Sequence, residues 1–463
     1  MMTISLSRLA VGAATLFATS VSAQQPGAQQ PPPATQMVLK GKAPVSEEVL
    51  KVKLPVAKET TLPNGLRLMV LEDHRVPQVS FQLMIPGAGG YFDPADRAGL
   101  ATWTASMIRE GTSSRTSAQI SEALETMGAS LFTSGGASSA NAEIDGNALT
   151  ESLPKLMEVT SDILLHPSFA ATEWDRYKAR TKPQFTQLRT SPGFLANEMF
   201  NKAVFGNHPA SRIFASPAAI DAVTAADLSE YYKTHYVPDH AVLAFAGDIT
   251  VDQAKTLATK YLGDWKKAGV PEAKVANPGP IGEAKVYLIN RPNSVQTTLF
   301  VGTQALLRTD PDYTSLAVAN RVLGGIMGRL FRHLREEKGY TYSIGSGIDA
   351  TPYVGAWTST TSVRTEVTEP ALRDLMNEIA QMRDTPVPDK ELADSKRALV
   401  AQFALSLESP QRMLGYSIDR WELGLPADYF DTYPARISAV TPAQVQAAEE
   451  VLGCRPAPDR GRG

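Results

Sequence analysis

The chain is short of cysteine, of net charge, of long apolar runs and of histidine, and each shortage removes a class of answer. Its single cysteine, Cys454, stands near the end of 463 residues, so no internal disulfide can form. The formal net charge is only -3, with 20% charged and 43% hydrophobic residues. No strong field therefore recruits nucleic acid or an anionic membrane, and the composition is that of a soluble globular protein. No apolar run approaches the roughly 20 residues that span a bilayer, so no membrane span is expected. The histidines number six: His74, His166, His208, His235, His240 and His333. Only His235 and His240 lie near each other, where a helix ends and a strand begins. That pair reads as a solvated turn rather than as metal ligands, and no metal site is expected in this chain.

What is present begins with an export signal. Arg8 supplies positive charge, Leu9 to Ala18 form a short apolar run, and Val21-Ser22-Ala23 gives a small-residue cleavage site before Gln24. A periplasmic or secreted location follows, and a large exported domain without disulfides relies on its core. Gln24 to Gln36 (QQPGAQQPPPATQ) cannot bury a core, so residues 24–57 are expected to be a tether and lead-in.

The remaining length exceeds what one core usually organises, and it divides into two similar halves. Residues 58–265 form the first and 285–463 the second. Lys266 to Ala284 (KKAGVPEAKVANPGPIGEA), rich in Pro and Gly, is the expected linker. Leu66 to Leu71, after the Asn64-Gly65 turn, reads as a strand paired with Val79 to Ile85; Val286 to Asn290 and Gln296 to Val301 make the corresponding pair. Helical spacing of apolar residues marks 101–109, 117–127, 153–165, 317–323, 369–382 and 389–406. Helices and strands mix without strict alternation, which predicts an α+β fold with helices packed on a largely antiparallel sheet.

Each half closes with a Val-Thr helix start, at Thr224 and Thr441. After the first, an apolar strand follows at Ala241 to Ala246. After the second, the chain reads CRPAPDRGRG, so the second half is expected to lack its closing strand and to leave a sheet edge open, as a truncated or frame-shifted C-terminus would.

Two segments carry chemistry. Arg329 to Ile344 reads RLFRHLREEKGYTYSI, with a helix over Leu330 to Lys338, Gly339 as its C-cap, and a strand from Tyr340 to Ile344. Taken alone, Arg335 to Lys338 is a charged helix end facing solvent. The preceding Leu323-Gly324-Gly325-Ile326-Met327-Gly328 lacks the Lys-Ser/Thr of a phosphate loop and reads as a tight helix start. The second segment, Gly99 to Thr112, reads GLATWTASMIREGT.

Together these segments resemble the insulinase-like (M16) zinc peptidases from about Lys58 to Val451. The resemblance implies two domains of one fold and an inverted H-x-x-E-H motif in the second segment, where i and i+4 histidines share a helix face. Here the ligand positions hold Thr102 and Ser106, and the general-base position holds Ala105. Hydroxyls are poor zinc ligands at neutral pH and Ala accepts no proton. The family's third ligand is an acid on a later helix, yet no Asp or Glu falls between Asp175 and Glu198. Arg335 and Tyr342 do stand where the family's substrate-binding Arg and Tyr stand, and are expected to converge on one cavity.

The resemblance therefore implies a zinc-free subunit of a heterodimeric peptidase. Arg335 and Tyr342 would face an unfolded peptide held as an added strand, while zinc sits on an H-x-x-E-H-bearing partner. The alternative is a catalytically inactive scaffold or peptide-binding protein of the same fold. A third option, a hydrolase built on Ser106, has no G-x-S-x-G elbow or Ser/His/Asp set to support it.

Overall fold

The computed structural model describes residues 50–452 apart from Pro271. The expected export signal, most of the expected tether, Cys454 and the sequence after Leu452 lie outside the described residues. The rest is an α+β protein with two sheets, each carrying helices.

In the first half, β1 (Lys58–Thr61) turns through Asn64-Gly65 into β2 (Arg67–Glu72), followed by β3 (Gln78–Pro86). Then come α1 (Leu100–Met107), α2 (Ser117–Met127), β4 (Ser130–Ser134) and β5 (Asn141–Leu149). Helices α3 (Leu153–Leu165), α4 (Ala171–Thr190), α5 (Pro192–Phe205), α6 (Pro217–Ala222) and α7 (Ala225–His235) lead to β6 (Val242–Gly247) and α8 (Val251–Leu262). The sheet order is β1-β2-β6-β3-β5-β4.

That order corrects an expectation. β2 and β3 do not pair; β6 lies between them, parallel to β2 and antiparallel to β3. Short-range turn chemistry favoured a hairpin, but every residue of β6 is buried, so a late apolar strand covered on both faces takes the central place. The Asn64-Gly65 turn joins β1 to β2 instead.

One face of this sheet carries the main core, where Phe81 meets Phe245 with ring centroids 5.9 Å apart and Trp103 meets Trp174 at 5.8 Å. The helices start at capped positions: Thr116, Thr224 and Thr250 each accept from the backbone three residues on while the residue there reaches back. α1 is held differently. Gly99 adopts φ +116°, and the buried Asp93 carboxylate accepts from the Gly99 and Ala101 amides at 2.6 and 2.9 Å. Burial raises the Asp93 pKa to about 6, with the amide bonds opposing the shift.

The second half holds β7 (Gln296–Gln304), α9 (Tyr313–Gly324), a π-helical turn over Phe331–Glu337, β8 (Thr341–Ile348) and β9 (Ala356–Arg364). Helices α10 (Thr368–Asp384), α11 (Asp389–Ser406), α12 (Pro410–Glu422), α13 (Tyr433–Ala439) and α14 (Pro442–Leu452) follow. Its sheet has three strands in the order β7-β9-β8. Val286 to Asn290 forms no strand, which corrects the expected pairing with β7; Val286 and Leu288 are each 87% exposed.

Each half lends a helix to the other's sheet. α12 sets Met413, Leu414 and Ile418 against Met69, Met84, Val242 and Ala244 on the second face of the first sheet. α5 lies on β7, with Phe200 against Phe300 and Gln304 Nε2 donating to the Val204 carbonyl at 3.1 Å. Farther along the α12 interface, Glu143 and Asp145 of β5 face Glu422, which accepts from Asn141 Nδ2 at 2.6 Å. Burial, then repulsion from Asp145 and Glu422, raises the Glu143 pKa to about 7; burial also raises Asp145 and Glu422.

Candidate functional site

On α1, residues Thr102 and Ser106 share one face, as the i, i+4 spacing requires. Their hydroxyls are already committed. Thr102 Oγ1 donates to the Gly135 carbonyl at 2.6 Å, and Ser106 Oγ donates back to the Thr102 carbonyl at 2.9 Å. α4 brings Tyr177, not an acid, to this face: its hydroxyl donates to Ser106 Oγ at 3.1 Å. Ala105 is buried, its Cβ turned toward Gly135. The nearby carboxylate of Glu110 is engaged by Arg180 and by Ser117.

These residues do not fit a zinc ion. A neutral hydroxyl chain offers no imidazole or carboxylate, and the general-base position has no acceptor. Among the described residues no group of three or more His, Cys, Asp and Glu stands close enough to hold a metal. The sequence pointed at Thr102, Ala105 and Ser106 and missed Tyr177. Its only signal is the apolar stripe Trp174, Tyr177, Thr181 at helical spacing, which faces α1.

The Arg335 and Tyr342 side chains are built by two irregularities. The segment Phe331–Glu337 is widened, Lys338 N–H donating to the His333 carbonyl five residues back at 3.0 Å. It is pinned from both sides: Arg329 and Arg332 grip Glu391 of α11 at 2.7 and 2.6 Å, and His333 Nδ1 lies 2.7 Å from Glu378 of α10. Gly339, at φ +61°, closes the turn, and its N–H donates to the Arg335 carbonyl at 3.1 Å.

β8 then opens with a bulge. Thr341 pairs Val363 and Ile344 pairs Thr361, so Tyr342 and Ser343 together oppose Ser362. Thr341 and Thr361 hydroxyls hold the kink by donating to the Ser343 carbonyl, each at 3.0 Å. Such a bulge re-aims a side chain. Tyr342 is thrown outward, 85% exposed, with the Arg335 guanidinium 5.2 Å from its ring and 4.5 Å from that of Phe331. A cation over one exposed and one half-buried ring is held by about 0.5–1 kcal/mol per contact, enough to set its rotamer and leave its donors free.

The two residues are thus brought together at the surface, Arg335 half-buried and Tyr342 exposed. One cleft of about 320 Å³ lies elsewhere, lined by Asn201, Phe205, Asp349, Thr351 and Tyr353. The π turn and the bulge were invisible in the pattern, because both depend on partners distant in sequence, Glu391 and Thr361. The two neighbouring histidines also part company. His240 sits in an exposed turn at φ +62°, whereas His235 is half-buried, stacked on Tyr231 with centroids 4.1 Å apart and its pKa lowered by burial.

Comparison with known proteins agrees with this architecture. Residues 67–218 match the family model described as insulinase (peptidase family M16), and residues 222–399 match that described as the peptidase M16 inactive domain. The chain is 26% identical over 410 residues to an uncharacterised zinc protease of Streptomyces coelicolor, covering 86% of this chain and 88% of that protein. Among solved structures it is similar to a peptidase M16 inactive domain from Pseudomonas fluorescens, with a TM-score of 0.79, 24% identity and coverage of 86% and 95% of the two chains. A protease from Helicobacter pylori is similar in fold, with a TM-score of 0.79 at 14% identity and coverage of 86% and 97%. Among the described residues no helix is long and apolar enough to cross a membrane.

Proposed function

We propose, from the premise that this chain belongs to the M16, insulinase-like peptidase family, that it is the zinc-free subunit of a two-chain peptidase. The observation that carries the reading is the contrast between the two segments. The α1 face has closed into a hydroxyl chain through Thr102, Ser106 and Tyr177, while half-buried Arg335 and exposed Tyr342 stand side by side on a π turn and a bulge. Zinc, and with it the activation of water, belongs on a partner subunit with an intact H-x-x-E-H helix. The guanidinium of Arg335 donates to substrate carbonyls, and the phenol of Tyr342 donates to the oxygen on which negative charge develops. The substrate is an unfolded peptide, and the setting is extracytoplasmic; that last point rests on the sequence of residues 1–23 alone.

The test is reconstitution with an exported H-x-x-E-H protein of similar length. Mixing should produce peptide cleavage that neither chain shows alone. Arg335→Ala and Tyr342→Phe should each lower kcat/KM by about a hundredfold or more, the usual cost of one lost oxyanion donor. Cleavage indifferent to this chain and to both substitutions sinks the shared site. Peptide binding without cleavage under any partner would leave a peptide-binding scaffold of M16 fold.

A further inference from the structure

The cleft of about 320 Å³ lies where the two halves meet. One wall is Asn201 and Phe205 from the end of α5 with Ser138 from the loop between β4 and β5; the other is Asp349, Thr351 and Tyr353 from the loop between β8 and β9. That second loop is held in shape by its own surroundings. Asp349 N–H donates to the Ala356 carbonyl at 2.9 Å, Val354 N–H to Asn277 Oδ1 at 3.0 Å, and the Tyr353 hydroxyl to the Ser138 carbonyl at 3.1 Å. Tyr353 is buried, stacked on Tyr91 with centroids 5.8 Å apart, and Phe205 stands edge-on to it at 6.4 Å. The cleft is thus preformed and partly aromatic.

The side-chain polar groups left over in it are nearly all acceptors. Asn201 spends its Nδ2 hydrogens on the Asn197 carbonyl and Oδ1 at 2.9 and 2.7 Å, and Thr351 spends its hydroxyl hydrogen on the Tyr353 carbonyl at 2.6 Å. Their oxygens remain, and of these side chains Ser138 alone keeps a hydrogen to give. The Asp349 Oδ2 takes a long bond of 3.4 Å from the Ala356 amide, and its Oδ1 has no donor among the described residues. No Lys, Arg or His lines the cleft among the described residues. Asp349 stays open to solvent, yet its protein surroundings raise its pKa, with the Ala356 amide opposing the shift and no cation doing so. His208, packed on Tyr353 at 5.3 Å, has both ring nitrogens engaged, Nδ1 by the Ala210 amide at 3.2 Å and Nε2 beside the Ala276 carbonyl at 2.9 Å.

We infer that this cleft is a binding site for one organic cation, a primary ammonium or guanidinium group on a short alkyl chain. Side chains that accept more than they donate call for a donor-rich guest, and an unpaired carboxylate calls for a positive one. The Phe205 and Tyr353 rings offer a cation–π surface to the charge and apolar contact to the alkyl chain. The volume, at the lower end for ligand pockets, admits one such group rather than a large cofactor. Because the walls come from both halves, the bound cation bridges them. None of these residues belongs to the α1 face or to the Arg335 and Tyr342 pair, so the site is independent of the shared-site reading.

Thermal melting of the full chain at constant ionic strength, titrated with n-butylammonium, n-butylguanidinium and neutral 1-butanol, tests it. Either cation should raise the melting temperature as its concentration rises, and 1-butanol should not. Asp349→Asn keeps an oxygen for the Ala356 amide and removes the charge, so it should weaken cation binding roughly tenfold or more and leave the ligand-free melt unchanged. Thr351→Lys places the chain's own ammonium in the cleft and should abolish binding, which keeps the test decisive if the first variant misfolds. Capped pentapeptides, Gly-Ala-Lys-Ala-Gly against Gly-Ala-Leu-Ala-Gly, separate the sources of the cation. Binding of the lysine peptide assigns the site to a peptide side chain and binding of the free cations alone assigns it to a small amine; either upholds the site. Equal effects of the cations and 1-butanol overturn it, as does a cation effect that survives both substitutions.

Discussion

The two sheets share one strand order, β3-β5-β4 and β7-β9-β8, and differ in that only the first goes on, among the described residues, through β6, β2 and β1. In the first, β6 enters after five helices and sits between β2 and β3, so Leu68, Val70, Phe81 and Phe245 share one core. In the second, no strand among the described residues takes that place, and Val286 and Leu288, where β2 would be matched, are left 87% exposed. Similar apolar residues are core in one half and surface in the other. Burial of a strand thus depends less on its own composition than on whether a long-range neighbour arrives.

That comparison breaks or holds at particular residues. Phe245→Ala, at the centre of the first sheet and fully buried, should cost about 3–5 kcal/mol in denaturant unfolding. Leu288→Ala, at a position 87% exposed, should stay within about 0.5 kcal/mol. Equal costs at the two positions would mean that the second half has its own central strand after all.

A smaller effect probes the interface that α12 makes with the first sheet. The Glu143 pKa is raised from 4.5 to about 7, so the folded protein binds this proton more tightly than the unfolded chain does. Its contribution is therefore favourable at low pH and is lost as pH rises from about 4.5 through about 7, by an amount on the order of 1–3 kcal/mol. Asp93, raised to about 6, acts in the same direction over a lower window. Glu143→Gln should flatten the decline in melting temperature between pH 5 and 8; an unchanged slope would assign the decline to other groups. A further modest effect is at the α1 face that carries Thr102 and Ser106. Tyr177→Phe removes one hydrogen bond to Ser106 and should cost about 1 kcal/mol in denaturant unfolding. A cost of several kcal/mol would show that the hydroxyl chain holds α1 and α4 together, rather than merely filling a lost site.

Much of this was legible from local chemistry. The helices at 117–127, 153–165 and 389–406, the Thr224 and Thr441 caps, the α+β class and the M16 resemblance follow from spacing and from residue types at fixed offsets, whereas α4, α5, α8 and α12 went unmarked. Thr102, Ala105 and Ser106 were located by the M16 resemblance of Gly99 to Thr112, and their shared helix needs no other part of the chain. Gly339 could be identified as a cap because a positive φ favours glycine wherever it occurs.

Tertiary structure alone decided the rest. The place of β6 between β2 and β3 is set by burial on both faces, against the hairpin that short loops favour. Tyr177 meets Ser106 only because α4 packs on α1. The outward cast of Tyr342 beside Arg335 needs a bulge held by Thr361 and a π turn held by Glu391 and Glu378. A single chain's sequence determines which groups can donate, accept or be buried. Which of them meet depends on contacts tens to hundreds of residues apart, and those form only when the whole core closes.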